Sequence, residues 1–101
     1  MPVKSLIYTT IKDSKENPCR VQIGDKVQLA PIDSKADKYS NPKKGFLTKK
    51  DASSLRKTLG RRPYVIKLIG QWPCGGVCLY ISSKKHPEGF GANQENFRAC
   101  P

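Results

Sequence analysis

Apolar and polar positions alternate over most of the chain, with one break near the middle. Residues 3–11 (VKSLIYTTI) are dense in β-branched and aromatic types and predict a strand. Residues 12–19 (KDSKENPC) are charged, contain Asn17-Pro18 and predict a turn. In the following stretch (RVQIGDKVQLAPI), Val21, Ile23, Val27 and Leu29 share one parity with polar residues between them. Gly24-Asp25 interrupts this alternation as a tight turn or a bulge, and Pro31 ends the pairing. The first third therefore predicts a β-hairpin or a three-stranded meander.

Residues 33–46 (DSKADKYSNPKKGF) read as loop, and the period then changes. Thr48 is placed to cap a helix, Asp51 occupies the third helical position as in a capping box, and Gly60 is placed to end it. Ala52, Leu55 and Leu59 form a narrow apolar stripe over 48–59, with Lys49, Lys50, Arg56 and Lys57 on other faces. A helix this short does not stand alone in water and must pack on a sheet.

The last third returns to strand patterns. PYVIKLI (63–69) predicts a buried strand, residues 70–75 a turn, GVCLYIS (76–82) a second strand, SKKHPEGFGANQ a long loop and ENFRAC (95–100) a short final strand. The predicted order β-β-α-β-β-β gives an α+β fold, a small antiparallel sheet domain with one helix across it, spanning residues 1–101 as a single domain.

A chain of 101 residues buries about two-thirds of its unfolded surface, so the core is modest. Apolar residues make up 37% and charged residues 27%, which is lean but outside the disordered range. No apolar run approaches the ~20 residues of a membrane span. The start shows no n-region and h-region, and Met1-Pro2 reads equally as a start placed before a mature domain.

Charge changes the picture most. Nineteen Lys and Arg against eight Asp and Glu leave +11, which points to an anionic partner: nucleic acid, an acidic membrane surface or an acidic protein. The plainer reading is solubility, and the excess of Lys over Arg leans that way, because Arg is the better bidentate phosphate ligand. The excess is densest between Lys43 and Arg62, where Lys43, Lys44, Lys49, Lys50, Arg56, Lys57, Arg61 and Arg62 face Asp51 alone. Such a surface binds phosphates by counterion release without reading bases. Tyr39, Phe46 and Tyr64 lie near it in sequence as candidate stacking platforms, and Lys84, Lys85 and His86 add a second basic run.

Cys19, Cys74, Cys78 and Cys100 are an even number in a short chain, which predicts disulfides, at least one of them holding Cys100, and an oxidising compartment. Three pairings are open. Cys74 and Cys78 also have a spacing that suits metal ligation, extended by Cys19, Cys100 or His86, but no paired ligand knuckle is present, so neither metal nor cofactor is expected. His86 is the one histidine and lies in a Gly/Pro loop; HExxH, GxSxG and a phosphate-cradling Gly loop are absent.

The C-terminal block, CGGVCLYIS (74–82), a Gly/Asn loop and ENFRACP (95–101), resembles the end of the small fungal extracellular ribonucleases, both the guanyl-specific enzymes and the sarcin-type ribotoxins. The resemblance covers roughly residues 61–101. It implies a microbial-ribonuclease-like fold in which the family histidine falls on Tyr80 and the family arginine on Arg62 or Arg61. The family's glutamate has no match in PYVIKLI, and its N-terminal cysteine is missing unless Cys19 replaces it. Tyrosine is poorly poised as acid or base at neutral pH, and arginine alone does not move protons.

The resemblance thus implies a scaffold without its catalysts: a non-enzymatic, monomeric, secreted fungal effector or virulence protein, extending to entry into a host cell. It would bind RNA or a host protein through its basic surface. Three alternatives stand beside it. One is a small disulfide-linked β-sandwich effector or toxin aimed at a host immune or signalling protein, which the helix at 48–59 argues against. The others are an active ribonuclease toxin using His86, and a zinc-bound nucleic-acid module.

Overall fold

The computed structural model describes residues 4–33, 35 and 45–100. The strands, in chain order, are β1 (Lys4–Leu6), β2 (Tyr8–Lys12), β3 (Pro18–Gln22) and β4 (Lys26–Leu29) before the helix α1 (Lys49–Leu59). After it come β5 (Tyr64–Gln71), β6 (Val77–Ser82), β7 (Phe90–Asn93), a 3-10 turn at Gln94–Asn96 and β8 (Phe97–Ala99). The main sheet runs β7-β6-β5-β4-β8, with β1 also paired to β5, and β2 and β3 form a separate hairpin. Every strand pair is antiparallel. The molecule is a compact α+β domain with antiparallel sheets and one α-helix.

The predicted first strand is two strands. Leu6 faces inward in β1, whereas Thr9 and Ile11 are the buried positions of β2, so the inward parity changes at Ile7. One straight strand cannot bury both sets, because its side chains alternate faces with period two. The chain bends at Ile7 and crosses from the main sheet into the hairpin.

Gly24-Asp25 is a tight turn. Gly24 has φ 96°, the Asp25 N–H donates to Gln22 O, and the Asp25 carboxylate accepts the Gln22 N–H. The turn docks on β5 through Gly24 N–H to Ile66 O (2.8 Å) and Ile66 N–H to Asp25 O (3.0 Å).

Beyond the helix, β5 continues through Gly70 and Gln71, and the reversal falls at Trp72–Gly76, closed by Trp72 N–H to Gly76 O. The loop predicted after residue 82 contains a strand, β7, paired with β6 from Ile81–Phe90 to Cys78–Asn93. Its sequence, FGAN, carries little intrinsic strand preference, and the open edge of β6 supplies the partner.

The helix forms where its signals lie. The Thr48 side chain accepts the Asp51 N–H, and the Gly60 N–H returns to Arg56 O at the other end, with Gly60 at φ 75°. Ala52, Leu55 and Leu59 are buried. Leu59 joins Ile11 and Val21 of the hairpin and Val27, Tyr64, Ile66, Ile69, Leu79, Ile81, Phe97 and Ala99 of the main sheet in one core. Ala52 and Leu55 form a smaller cluster with Ala30 and Leu47, bridged to the first by Leu29, Phe90 and Ala92. No helix among the described residues is long and apolar enough to cross a membrane.

Candidate nucleic-acid interface

Burial of one stripe of α1 dictates where its charges go. With Ala52, Leu55 and Leu59 turned inward, Lys49, Lys50, Arg56 and Lys57 are left exposed. Arg61 and Arg62 follow in the short link to β5 and are also exposed. Pro63 is joined to Arg62 by a cis peptide bond. The Arg62 guanidinium donates to Gln28 Oε1 on β4 (3.2 Å), which fixes it across the sheet end.

Of these groups, Arg56, Arg61 and Arg62 line a cleft of about 790 Å³ together with Gln28, Leu29, Gly60 and Tyr64. Three of the seven carry guanidinium groups and none is an acid or a histidine. The lining carries three guanidinium groups, whose planar forks match the geometry of carboxylate and phosphate oxygens.

Two acid–base contacts lie within ion-pair distance among the described residues, Arg98–Glu16 and, charged only when the imidazole is protonated, His86–Glu88. Neither involves Lys49, Lys50, Arg56, Lys57, Arg61, Arg62, Lys84 or Lys85, so no ion pair among the described residues offsets this positive charge. Lys84 and Lys85 are exposed on the β6–β7 connection. Lys85 Nζ donates to Lys57 O, which sets a cation against the negative end of α1 and joins the second basic run to the helix. Lys43 and Lys44, and Tyr39, lie outside the described residues.

Tyr64 is not a stacking platform. It is 3% exposed, belongs to the core, and its hydroxyl donates to Gly60 O. Phe46 lies 5.9 Å from the Arg98 guanidinium carbon and is partly covered. Of these two aromatics, Tyr64 is turned into the core and Phe46 stays half-exposed beside Arg98.

Tyr80 and Arg62, the two positions aligned with ribonuclease catalysts, are not brought together. Tyr80 sits mid-strand on β6, opposite Leu68 and Gly91, whereas Arg62 precedes β5, beyond the Val65–Ser82 pair that ends the β5–β6 ladder. Tyr80 covers the edge glycine across from it: a Cβ at Gly91 would stand 3.0 Å from Tyr80 Cε1. That is an aromatic packing over a glycine in a neighbouring strand.

His86 is held in a closed turn rather than a loose loop. Its N–H reaches Ser83 O and Oγ, and its ring meets Phe90 edge-on at 5.6 Å. Nδ1 is shut off from solvent 3.0 Å from Glu88 Oε1, a close ion-pair distance without an in-line hydrogen bond. Lys67 Nζ donates to the Pro87 and Glu88 carbonyls and ties this turn to β5.

The expected disulfides are not formed: Cys19, Cys74, Cys78 and Cys100 are free thiols in this structure. Cys19 lies on β3, which pairs only with β2; Cys78 lies on β6 between β5 and β7; Cys74 is in the exposed β5–β6 turn; and Cys100 follows β8 beside β4. No two strands that carry cysteines are sheet neighbours. Burial pushes the Cys78 thiol above its ordinary pKa, partly offset by the Ala92 backbone N–H. Among the described residues no three His, Cys, Asp or Glu side chains gather as a metal-binding set.

One functional-looking residue escapes sequence reasoning. Arg98 is 3% exposed, and its guanidinium donates to Glu16, to the Glu95 and Phe97 carbonyls and to Gly45 O. An Arg inside an apolar final strand was the available signal, but its partner is 82 residues away. No protein-family model, no curated protein and no solved structure matches this chain.

Proposed function

We propose that this protein is a non-catalytic RNA-binding domain that grips the phosphate backbone. The carrying observation is the arginine-lined cleft at the C-terminal end of α1, flanked by the unpaired cations of the helix. Guanidinium forks suit phosphate oxygens, and release of counterions from the nucleic acid supplies affinity without base readout. The lack of an accessible aromatic at Tyr64 favours the sugar-phosphate backbone over splayed, stacked bases.

The cleft offers no acid–base pair, and Tyr80 has a packing role over Gly91, so the reading is of binding without cleavage. A ribonuclease-like ancestry and a fungal effector role remain part of the proposal on the strength of the resemblance across residues 61–101, whereas the four free thiols speak against an oxidising, secreted setting.

Titration of labelled duplex and single-stranded RNA tests the reading. Replacing Lys49, Lys50, Arg56 and Lys57 by Glu should abolish binding to both, and the wild type should hold duplex at least as well as single strand. A wild type that ignores RNA yet binds an acidic polypeptide would move the surface to an acidic protein partner.

A further inference from the structure

Among the described residues, five large apolar side chains stand in solvent: Ile7, Tyr8, Ile23, Ile32 and Leu68. The topology gathers four of them at one opening in the sheet. β1 pairs with β5 from Lys4–Gln71 to Leu6–Ile69, so Ile7 leaves the ladder beside Leu68. β4 joins β5 only at Val65 and Tyr64, and the turn ahead of it docks on Ile66 O, which brings Ile23 to the other side of the gap. Tyr8 pairs with Gln22, the residue before Ile23. A register shift between Ile66 and Leu68 marks the opening on β5 itself.

Exposure peaks at Ile7, 81% accessible, with Ile23 at 49% and Tyr8 at 48%. Ile7 therefore projects from the surface. Cations lie on the same strands and turn. Lys4 and Lys26 are exposed, and the Arg20 guanidinium carbon stands 3.8 Å from the Tyr8 ring centroid. The one acidic residue of the segments 4–8, 20–26 and 64–71 is Asp25, and its carboxylate already accepts the Gln22 N–H.

We infer that this patch docks the protein on an anionic lipid bilayer. Ile7 and Ile23 enter the boundary between headgroups and acyl chains, Tyr8 sits at headgroup level with its apolar body inward, and Lys4, Arg20 and Lys26 meet lipid phosphates and carboxylates. A projecting aliphatic with cations on the same strands suits a fluid, negatively charged surface. A protein partner would have to supply a matching pocket. The patch shares no residue with the arginine cleft, so the two sites are separable.

Co-sedimentation with vesicles is the test, using phosphatidylcholine alone and phosphatidylcholine mixed with phosphatidylserine. The wild type should pellet with the mixed vesicles and remain in solution with the neutral ones. The Ile7→Ser/Ile23→Ser double variant should lose partitioning about tenfold or more, since transfer of one such side chain is worth about a factor of ten. Both sites are exposed, so the variant should keep the wild-type melting temperature and RNA affinity. The Arg56→Gln/Arg61→Gln/Arg62→Gln variant should bind RNA more weakly yet keep the dependence on Ile7 and Ile23. The inference is overturned if the wild type ignores mixed vesicles, or if the serine variant pellets as the wild type does. A wild type that ignores vesicles but loses a soluble acidic protein on Ile7→Ser assigns the patch to a protein instead.

Discussion

Arg98 and Glu16 meet 3.1 Å apart across almost the whole chain, the arginine buried in β8 and the glutamate in the β2–β3 turn at φ 65°. The pair holds that turn against the final strand, and the same guanidinium donates to Gly45 O, so one side chain joins three segments distant in sequence. A buried guanidinium is tolerated here because its donors are met by a carboxylate and by backbone carbonyls.

Removing the arginine and removing the carboxylate should therefore have unequal consequences. Arg98→Ala empties a buried site and strands several acceptors, at a cost of about 3–5 kcal/mol. Glu16→Gln leaves Arg98 its three carbonyl acceptors, and the Glu16 side chain is 35% exposed, so a cost of about 1 kcal/mol is expected. Denaturant unfolding of the two variants checks the ordering, and equal losses would contradict it.

The helix gives the second prediction. Leu59 is fully buried in the main core and Leu55 lies in the smaller cluster, so Leu59→Ala should cost about 3–5 kcal/mol and Leu55→Ala about 2–4 kcal/mol. A cost below about 0.5 kcal/mol at Leu55 would place the stripe in solvent.

Thiol chemistry gives the third. In native protein, Cys74 should react first with a disulfide reagent, Cys19 and Cys100 more slowly and Cys78 last, with four thiols titrating in denaturant. The fold raises the Cys78 pKa, so its contribution to stability is intact below the ordinary thiol range and is lost as pH rises through that range. Fewer than four thiols in denaturant would restore the oxidised, bridged form that the even cysteine count predicts.

Catalytic silence is the fourth. Incubation with single-stranded RNA and with intact ribosomes should yield no 2′,3′-cyclic phosphate ends, and Tyr80→His should not create activity, because no carboxylate lies in β5 to act as base. Cleavage that disappears in His86→Ala would instead establish the His86–Glu88 pair as a working site.

Legibility from sequence followed the range of the interactions concerned. The helix was readable to the residue because Thr48, Asp51 and Gly60 act within one turn of its ends. The basic surface was readable because exposure of Lys49, Lys50, Arg56 and Lys57 follows from burial of the opposite stripe. β7 was hidden, since FGAN becomes a strand only against the open edge of β6. The break at Ile7 was legible in principle as a change of inward parity between Leu6 and Ile11. The role of Tyr64 was not, because whether a tyrosine stacks outward or bonds Gly60 depends on the corner between α1 and β5.

The central claim is that the arginine cleft grips phosphates, and the salt dependence of RNA affinity tests it most directly. For wild type and for Arg56→Gln/Arg61→Gln/Arg62→Gln, the association constant is measured against salt on a logarithmic scale. Each phosphate contact contributes about 0.7–0.9 to the slope, so losing three should flatten it by about 2 and weaken binding at every salt concentration. An unchanged slope with undiminished affinity would contradict the account and leave the cleft without a role in RNA binding.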